Sequence, residues 1–339
     1  MKIGILSLPA MALAGLLPAL AHAQETYTLR IADQFPLTHI ASKLTIQPFI
    51  EEVEARSEGR ITFEHYPAEQ LAKGRGMLDA VRTGVTDIGL QVAGYVSDRL
   101  PLSTVVELPS ISSDVEKCFN AFQTLAEGEL LEREFKPMGV RAIEVNCTPP
   151  QFMTTGVDEI SSLEDIAGLK LRAGGSAVEL TLTELGAIPV KMSAPDIYVG
   201  VERGTLDGAV FAPASTLGYN LQNIVGGVAK NVSFGSNAAI LFMNENSFQK
   251  LPPDLQEIIL EVGKQVGYDV AEAYNSGTQD ALDEIAAAGV NVYDFPEDVV
   301  ERIRAAQEKV GEVWVEQMNS RNLPGTEILD AATAAAMTN

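Results

Sequence analysis

Two stretches of this chain, about 120 residues apart, follow one local plan, and that repetition constrains the fold more than any other feature. The first runs Val81-Arg82-Thr83-Gly84-Val85-Thr86-Asp87-Ile88-Gly89-Leu90, the second Val201-Glu202-Arg203-Gly204-Thr205-Leu206-Asp207-Gly208-Ala209-Val210. Each ends a helical pattern at a glycine, turns, and opens an apolar strand at an aspartate. Gly84 and Gly204 suit the left-handed residue that closes a helix, because glycine has no Cβ to clash there. One such turn is ordinary, whereas two at this separation predict two lobes of similar build. The period is far too long for a solenoid of stacked repeats.

Strand-like and helical patterns alternate around these segments, which predicts mainly parallel sheets flanked by helices. Strands are expected at Tyr27–Ala32, Ile61–Tyr66, Asp87–Val92, Val140–Asn146 and Leu169–Ala173. Helices are expected at His39–Ser57 (closed by Gly59), Met77–Arg82, Glu116–Phe135, Ala177–Leu185, Asp254–Ala288 and Pro296–Met318. The predicted fold is therefore α/β, a two-lobed clamshell with long C-terminal helices. Residues 24–145 with about 232–255 form the first lobe, and 146–231 with about 256–325 the second. An alanine-rich tail, residues 326–339, is expected to fray. Ligands of such folds gather at the carboxyl ends of strands, in the cleft.

The amino terminus reads as a secretory leader. Lys2 is followed by an apolar run from Ile3 to Leu20, and Ala21-His22-Ala23 places small residues where a signal peptidase cuts. Pro9, Gly15 and Pro18 interrupt that run, so cleavage after Ala23 and export are expected rather than a retained anchor. A net charge of −22 argues against nucleic acid as a partner and requires any anion site to be locally basic. Cys118 and Cys147 in an oxidising compartment form either a disulfide or two separate buried thiols. No cofactor is expected: there is no metal-ligand spacing, phosphate loop or Gly-x-Ser-x-Gly elbow, so an enzyme is disfavoured.

The strongest chemical signal is Leu169-Lys170-Leu171-Arg172-Ala173-Gly174-Gly175-Ser176, running into a helix. Arg172 ends a strand, two glycines permit a sharp turn, and Ser176 is a candidate N-cap. A helix N-terminus favours an anion, and an arginine holds a carboxylate through two parallel hydrogen bonds. The alternative is a surface arginine paired with Glu164 or Asp165.

Several linked motifs resemble the periplasmic binding components of tripartite ATP-independent periplasmic (TRAP) transporters of the dicarboxylate type. They are Leu163-Glu164-Asp165-Ile166-Ala167-Gly168-Leu169-Lys170-Leu171-Arg172, Leu185-Gly186-Ala187-Ile188-Pro189-Val190-Lys191-Met192, Asp207-Gly208, Gly59-Arg60-Ile61 with Tyr66-Pro67 and Leu71, and the Met77–Gly84 segment. The likeness runs in order from about Tyr27 to about Trp314. It implies a periplasmic, non-enzymatic receptor whose carboxylate-binding arginine matches Arg172, and whose partners are a small carboxylate and the integral membrane subunits of a TRAP transporter. The chain departs from the family pattern at three places. A second arginine of many members falls on or near Gln151, an asparagine falls on Phe211, and a phenylalanine falls on Ala194.

One arginine, a neutral glutamine and Phe211 suit an aromatic or bulky apolar monocarboxylate, because a second buried carboxylate would lack a cation. Phe35 and Tyr95, in loops after first-lobe strands, and Phe152 beside Gln151 complete the expected ligand-binding set. Phe152 and Phe211 have a bland alternative as fillers of the lobe cores. A C4-dicarboxylate or sugar-acid receptor, or one that feeds a sensor kinase, is the competing reading.

Overall fold

The computed structural model describes residues 25–337; the expected leader, residues 1–23, lies outside the described residues. Two sheets form the two lobes. The first has the order β2-β1-β3-β10-β4, built from β1 (Tyr27–Ala32), β2 (Ile61–Tyr66), β3 (Ile88–Val92), β4 (Val140–Cys147) and β10 (Ala238–Asn244). The second has the order β11-β9-β5-β8-β6-β7. Its strands are β5 (Phe152–Thr155), β6 (Lys170–Ala173), β7 (Ile188–Lys191), β8 (Gly208–Phe211), β9 (Gly227–Ala229) and β11 (Asn291–Tyr293).

Both sheets are mixed. β1 pairs in parallel with β2 and β3, and β6 with β7 and β8, as helix-linked strands must. The strands that enter from the other lobe run against their neighbours: β5 is antiparallel to β8 and β9, and β10 to β3 and β4. The connections 148–151 and 230–237 pass side by side between the lobes. They are tied by Thr148 N–H to Asn237 O (2.9 Å), Gln151 N–H to Gly235 O (2.9 Å) and Phe234 N–H to Gln151 O (2.8 Å).

The internal repeat is real at the level of hydrogen bonds. Gly84 and Gly204 both take positive φ, at 75° and 69°. Asp87 accepts the N–H of Arg30 on β1 at 2.9 Å and returns its own N–H to Arg30 O at 3.1 Å. Asp207 does the same with Lys170 on β6, at 2.8 Å and 2.9 Å. Each aspartate thus locks the strand it opens to the parallel strand beside it. Without the carboxylate, that neighbouring N–H would stand unpaired at the sheet end.

Several predicted elements are corrected. The helix expected over His39–Ser57 contains a π-helical turn at Ser42–Ile46 before the α-helix Gln47–Arg56. The one expected over Glu116–Phe135 breaks at Gly128, after Val115–Glu127, and resumes as a π turn at Leu131–Phe135. The tail does not fray: Gly325–Ala336 is a helix whose Ile328, Ala332 and Ala335 lie on one stripe and are buried in the first-lobe core. Alanine is the best helix former, and its small side chain lets this helix approach Val115–Glu127 closely.

The long helices, expected in the second lobe with residues 256–325, contribute to both lobes. Helix Pro253–Ala287 buries Ile259, Val262, Val266 and Val270 in the first-lobe core, then reaches the second lobe with Leu282 and Ile285. Helix Glu297–Ser320 returns, packing Val299, Val300 and Ile303 in the second lobe and Val310, Trp314 and Met318 in the first. Cys118 and Cys147 form a disulfide, Cα–Cα 6.1 Å, joining helix Val115–Glu127 to the end of β4 where the chain leaves the first lobe. Closing a loop of this length contributes about 3–4 kcal/mol on the chain-entropy view.

Candidate ligand-binding site

The carboxyl ends of β1 and β3 from one lobe and of β6 and β8 from the other meet across the cleft. Between them lies a narrow cavity of about 40 Å³. The lobes are closed upon it. Gly94, after β3, packs directly on the backbone of Gly174 and Gly175, after β6, so closely that a Cβ at Gly94 would lie 2.4 Å from Gly174 O.

Arg172 is fully buried, an unusual state for a guanidinium. Its Nε donates to Met192 O at 3.0 Å, Nη1 to Val210 O at 3.3 Å and Nη2 to the Tyr95 hydroxyl at 3.1 Å. Two of its five N–H groups have no partner among the described residues. Among the described residues no carboxylate forms an ion pair with it, and the alternative partners Glu164 and Asp165 stand elsewhere, Asp165 capping its own helix with Ser162. The guanidinium carbon lies 5.2 Å from the Phe211 ring centre and 5.7 Å from that of Tyr95, so two π faces flank the charge.

Tyr95 links the lobes. Its hydroxyl accepts from Arg172 and, at 3.0 Å, from the N–H of Ala194. Ala194 itself is buried in the cleft wall with a methyl group only, leaving the volume a larger side chain would fill. Gln151 lies beside Arg172. With both ends of its amide paired, it donates to Val210 O at 3.2 Å and accepts from Asn237 Nδ2 at 3.1 Å. Phe35 lines the opposite wall and stacks on His39, ring centres 4.6 Å apart.

The structure therefore brings together Arg172, Gln151, Phe211, Phe35 and Tyr95. Phe152 it places elsewhere: alternation along β5 turns this ring with Thr154 toward Val228, into an apolar cluster with Leu282, Ile285 and Val290. Ser176 is also corrected. The N-cap of helix Ser176–Glu184 is Gly175, and no side chain caps it. The group facing this helix end is Glu107 of the first lobe, whose Oε2 lies 2.4 Å from where a Cβ on Gly175 would stand. Burial pushes the Glu107 carboxyl up to about 8, against the pull of the Ala238 and Gly94 N–H groups and of Arg172.

Reasoning from the sequence missed His39, Tyr219, Gln34 and Asn237, which also line the cleft. Tyr219 and Asn237 sit in no motif, and they reach the site only through packing of distant segments. His39 carried one available signal: it follows Phe35-Pro36 in a loop after a first-lobe strand, where ligand groups collect.

A family model described as bacterial extracellular solute-binding protein, family 7, matches residues 32–320. A TRAP solute-binding protein from Rhodoferax ferrireducens, solved in complex with copurified benzoate, superimposes with a TM-score of 0.82. It is 27% identical, and the match covers 92% of this chain and 98% of that one. A marine-metagenome TRAP solute-binding protein specific for aromatic acid ligands, bound to 3-hydroxybenzoate, shares the fold. Its TM-score is 0.84 at 24% identity, over 92% of this chain and 98% of its own. A solute-binding protein of Albidiferax ferrireducens is 26% identical over 294 residues, 84% of this chain and 85% of that protein.

Proposed function

Because this chain belongs to bacterial extracellular solute-binding protein family 7, the receptors of TRAP transporters, we propose that it captures an aromatic or bulky apolar monocarboxylate in the periplasm. Residues 1–23 would direct export and then be removed, and the closed, loaded form would be handed to the membrane subunits. No chemical step is assigned to the cleft, which acts as a binding site and not as an enzyme.

The observation that carries this reading is Arg172. It is the only lysine or arginine among the described residues that line the cleft, and two of its N–H groups are unpaired. One buried cation matches one carboxylate, each charge-assisted hydrogen bond contributing about 1.5–3 kcal/mol. A second carboxylate would meet neutral Gln151 and the ring of Phe211, where desolvation is uncompensated. The flanking rings of Tyr95, Phe211 and Phe35 favour a flat apolar body. The copurified benzoate of the Rhodoferax ferrireducens relative supports the same class.

Closure is then a population shift, favoured by contacts that exist only in the closed form. Tyr95→Phe tests one of them. Removing the hydroxyl leaves the Ala194 N–H and one Arg172 N–H without acceptors, at a cost of about 1–3 kcal/mol. Ligand affinity by calorimetry is expected to fall about 5- to 150-fold, and wild-type affinity would mean that Tyr95 does not help to hold the cleft shut.

The direct test is a thermal-shift panel on the chain lacking residues 1–23. An acid at about 100 times its dissociation constant adds about 2.7 kcal/mol, or about 4 °C for a chain of this size. Benzoate-like monoacids are expected to raise the melting temperature while succinate and malate do not. Stabilisation by C4-diacids or sugar acids alone would overturn the assigned ligand class.

A further inference from the structure

The wall of the cleft that holds Phe35 carries polar atoms the protein leaves without partners. His39 is 2% exposed. Its Nδ1 accepts the N–H of Ala41 at 3.1 Å, and since a backbone N–H only donates, Nδ1 bears no proton. Burial keeps the ring neutral, pushing its pKa down to about 3. The single ring proton is therefore on Nε2, a donor with no acceptor. The Tyr219 hydroxyl and Gln34 Oε1 are likewise buried and unpaired. All three side chains line the same cleft as Arg172.

Buried polar groups in native proteins are nearly always paired, so three orphans in one cavity point to a partner that arrives with the ligand. The rings order the cavity. Phe35 stacks on His39, His39 meets Tyr219 at 5.0 Å, Tyr219 meets Phe211 at 6.1 Å, and Phe211 flanks the guanidinium of Arg172. A carboxylate on Arg172 thus has an aromatic passage beside it and a polar group at the passage's other end.

The chemistry of that group follows from what the orphans need. His39 Nε2 needs an acceptor, Gln34 Oε1 needs a donor, and the Tyr219 hydroxyl serves as either. A neutral hydroxyl meets all three demands. A second carboxylate cannot donate, and burial already opposes a negative charge on Tyr219, with Asp33 and Glu69 adding to it. An ammonium cannot accept from His39.

We propose that His39, Tyr219 and Gln34 form a second subsite for a neutral hydroxyl, so that the receptor selects hydroxyl-bearing aromatic monocarboxylates over the unsubstituted acid. This rests on the aromatic-acid reading of the Arg172 end. It also makes the two ends of the cleft separable, with charge read by the second lobe at Arg172 and the hydroxyl read largely by the first lobe at His39 and Gln34.

The test is calorimetric titration of the chain lacking residues 1–23 with benzoate, 3-hydroxybenzoate and 4-hydroxybenzoate. At least one hydroxybenzoate is expected to bind about 10-fold or more tightly than benzoate, as a site built to bond a hydroxyl discriminates against the analogue without one. In His39→Phe, and separately in Tyr219→Phe, that preference is expected to shrink by about tenfold. Tyr219→Phe removes a single oxygen, so it decides the matter if His39→Phe lowers the melting temperature of the free protein. A preference that survives both substitutions, or equal affinities for all three acids, overturns the subsite while leaving the Arg172 reading intact. No binding of any of the three overturns both.

Discussion

Arg172→Ala is expected to weaken binding of an aromatic monocarboxylate by about 2–5 kcal/mol, or about 30- to 5,000-fold in dissociation constant. The size comes from what is left behind: a carboxylate held in a closed cleft with no other lysine or arginine in its walls. The guanidinium also spans the site, bonding Met192 O, Val210 O and the Tyr95 hydroxyl. Arg172→Lys is therefore the sharper variant. Lysine retains the charge but cannot reach two backbone carbonyls, a hydroxyl and a bidentate ligand at once. It is expected to recover only part of the lost affinity, with melting temperatures of both free variants showing whether the second lobe still packs. Wild-type affinity in Arg172→Lys would reduce the role of this residue to a point charge, and wild-type affinity in Arg172→Ala would remove it from the site.

The parts of this fold legible in the sequence are those set by neighbours along the chain. A glycine at positive φ and an aspartate three residues later are local devices, and Gly84–Asp87 and Gly204–Asp207 announced two equivalent lobes before any tertiary contact was known. Arg172 was legible for the same reason, standing where a strand ends and two glycines turn the chain. What escaped notice depends on partners far away in sequence. The helix Pro253–Ala287 has an apolar stripe that suits either lobe, and only the position of β4 assigns its first half. Phe152 and Gln151 are adjacent, yet one fills a lobe core and the other lines the cleft.

The polar subsite illustrates the same limit. His39 and Tyr219 are 180 residues apart and belong to different lobes, yet their rings meet at 5.0 Å. Their lack of partners depends on the packing of distant segments, and no spacing in the chain encodes it. The turn at Gly174-Gly175 also carries a contact between lobes, since Gly94 packs on its backbone. A side chain at Gly174 would lie 2.6 Å from Arg172 Nη1, and one at Gly175 would meet Glu107. A side chain at either position would have to displace these buried polar groups.

That contact supports the second large effect, at Gly94. Its Cβ position lies 2.4 Å from Gly174 O and 2.6 Å from Gly175 Cα, and both are backbone atoms of the opposite lobe that cannot rotate away. The next nearest atom is Glu107 Oε1, at 3.1 Å within its own lobe. The two shortest contacts of a side chain here are thus with the opposite lobe, and they oppose closure. Gly94→Ala is expected to disfavour the closed form by about 1–3 kcal/mol, the usual range for overpacking. Gly94→Val adds two methyl groups to the same clash and is expected to exceed about 3 kcal/mol. Apparent affinity falls by the fraction of molecules able to close, so a loss of about 150-fold or more is expected for the valine variant. Small-angle scattering should show wild-type protein contracting when ligand is added and Gly94→Val remaining extended, with melting of the free proteins alike. Full affinity together with contraction in Gly94→Val would mean that ligand is bound in a less closed arrangement, with Gly94 and Gly174 held apart.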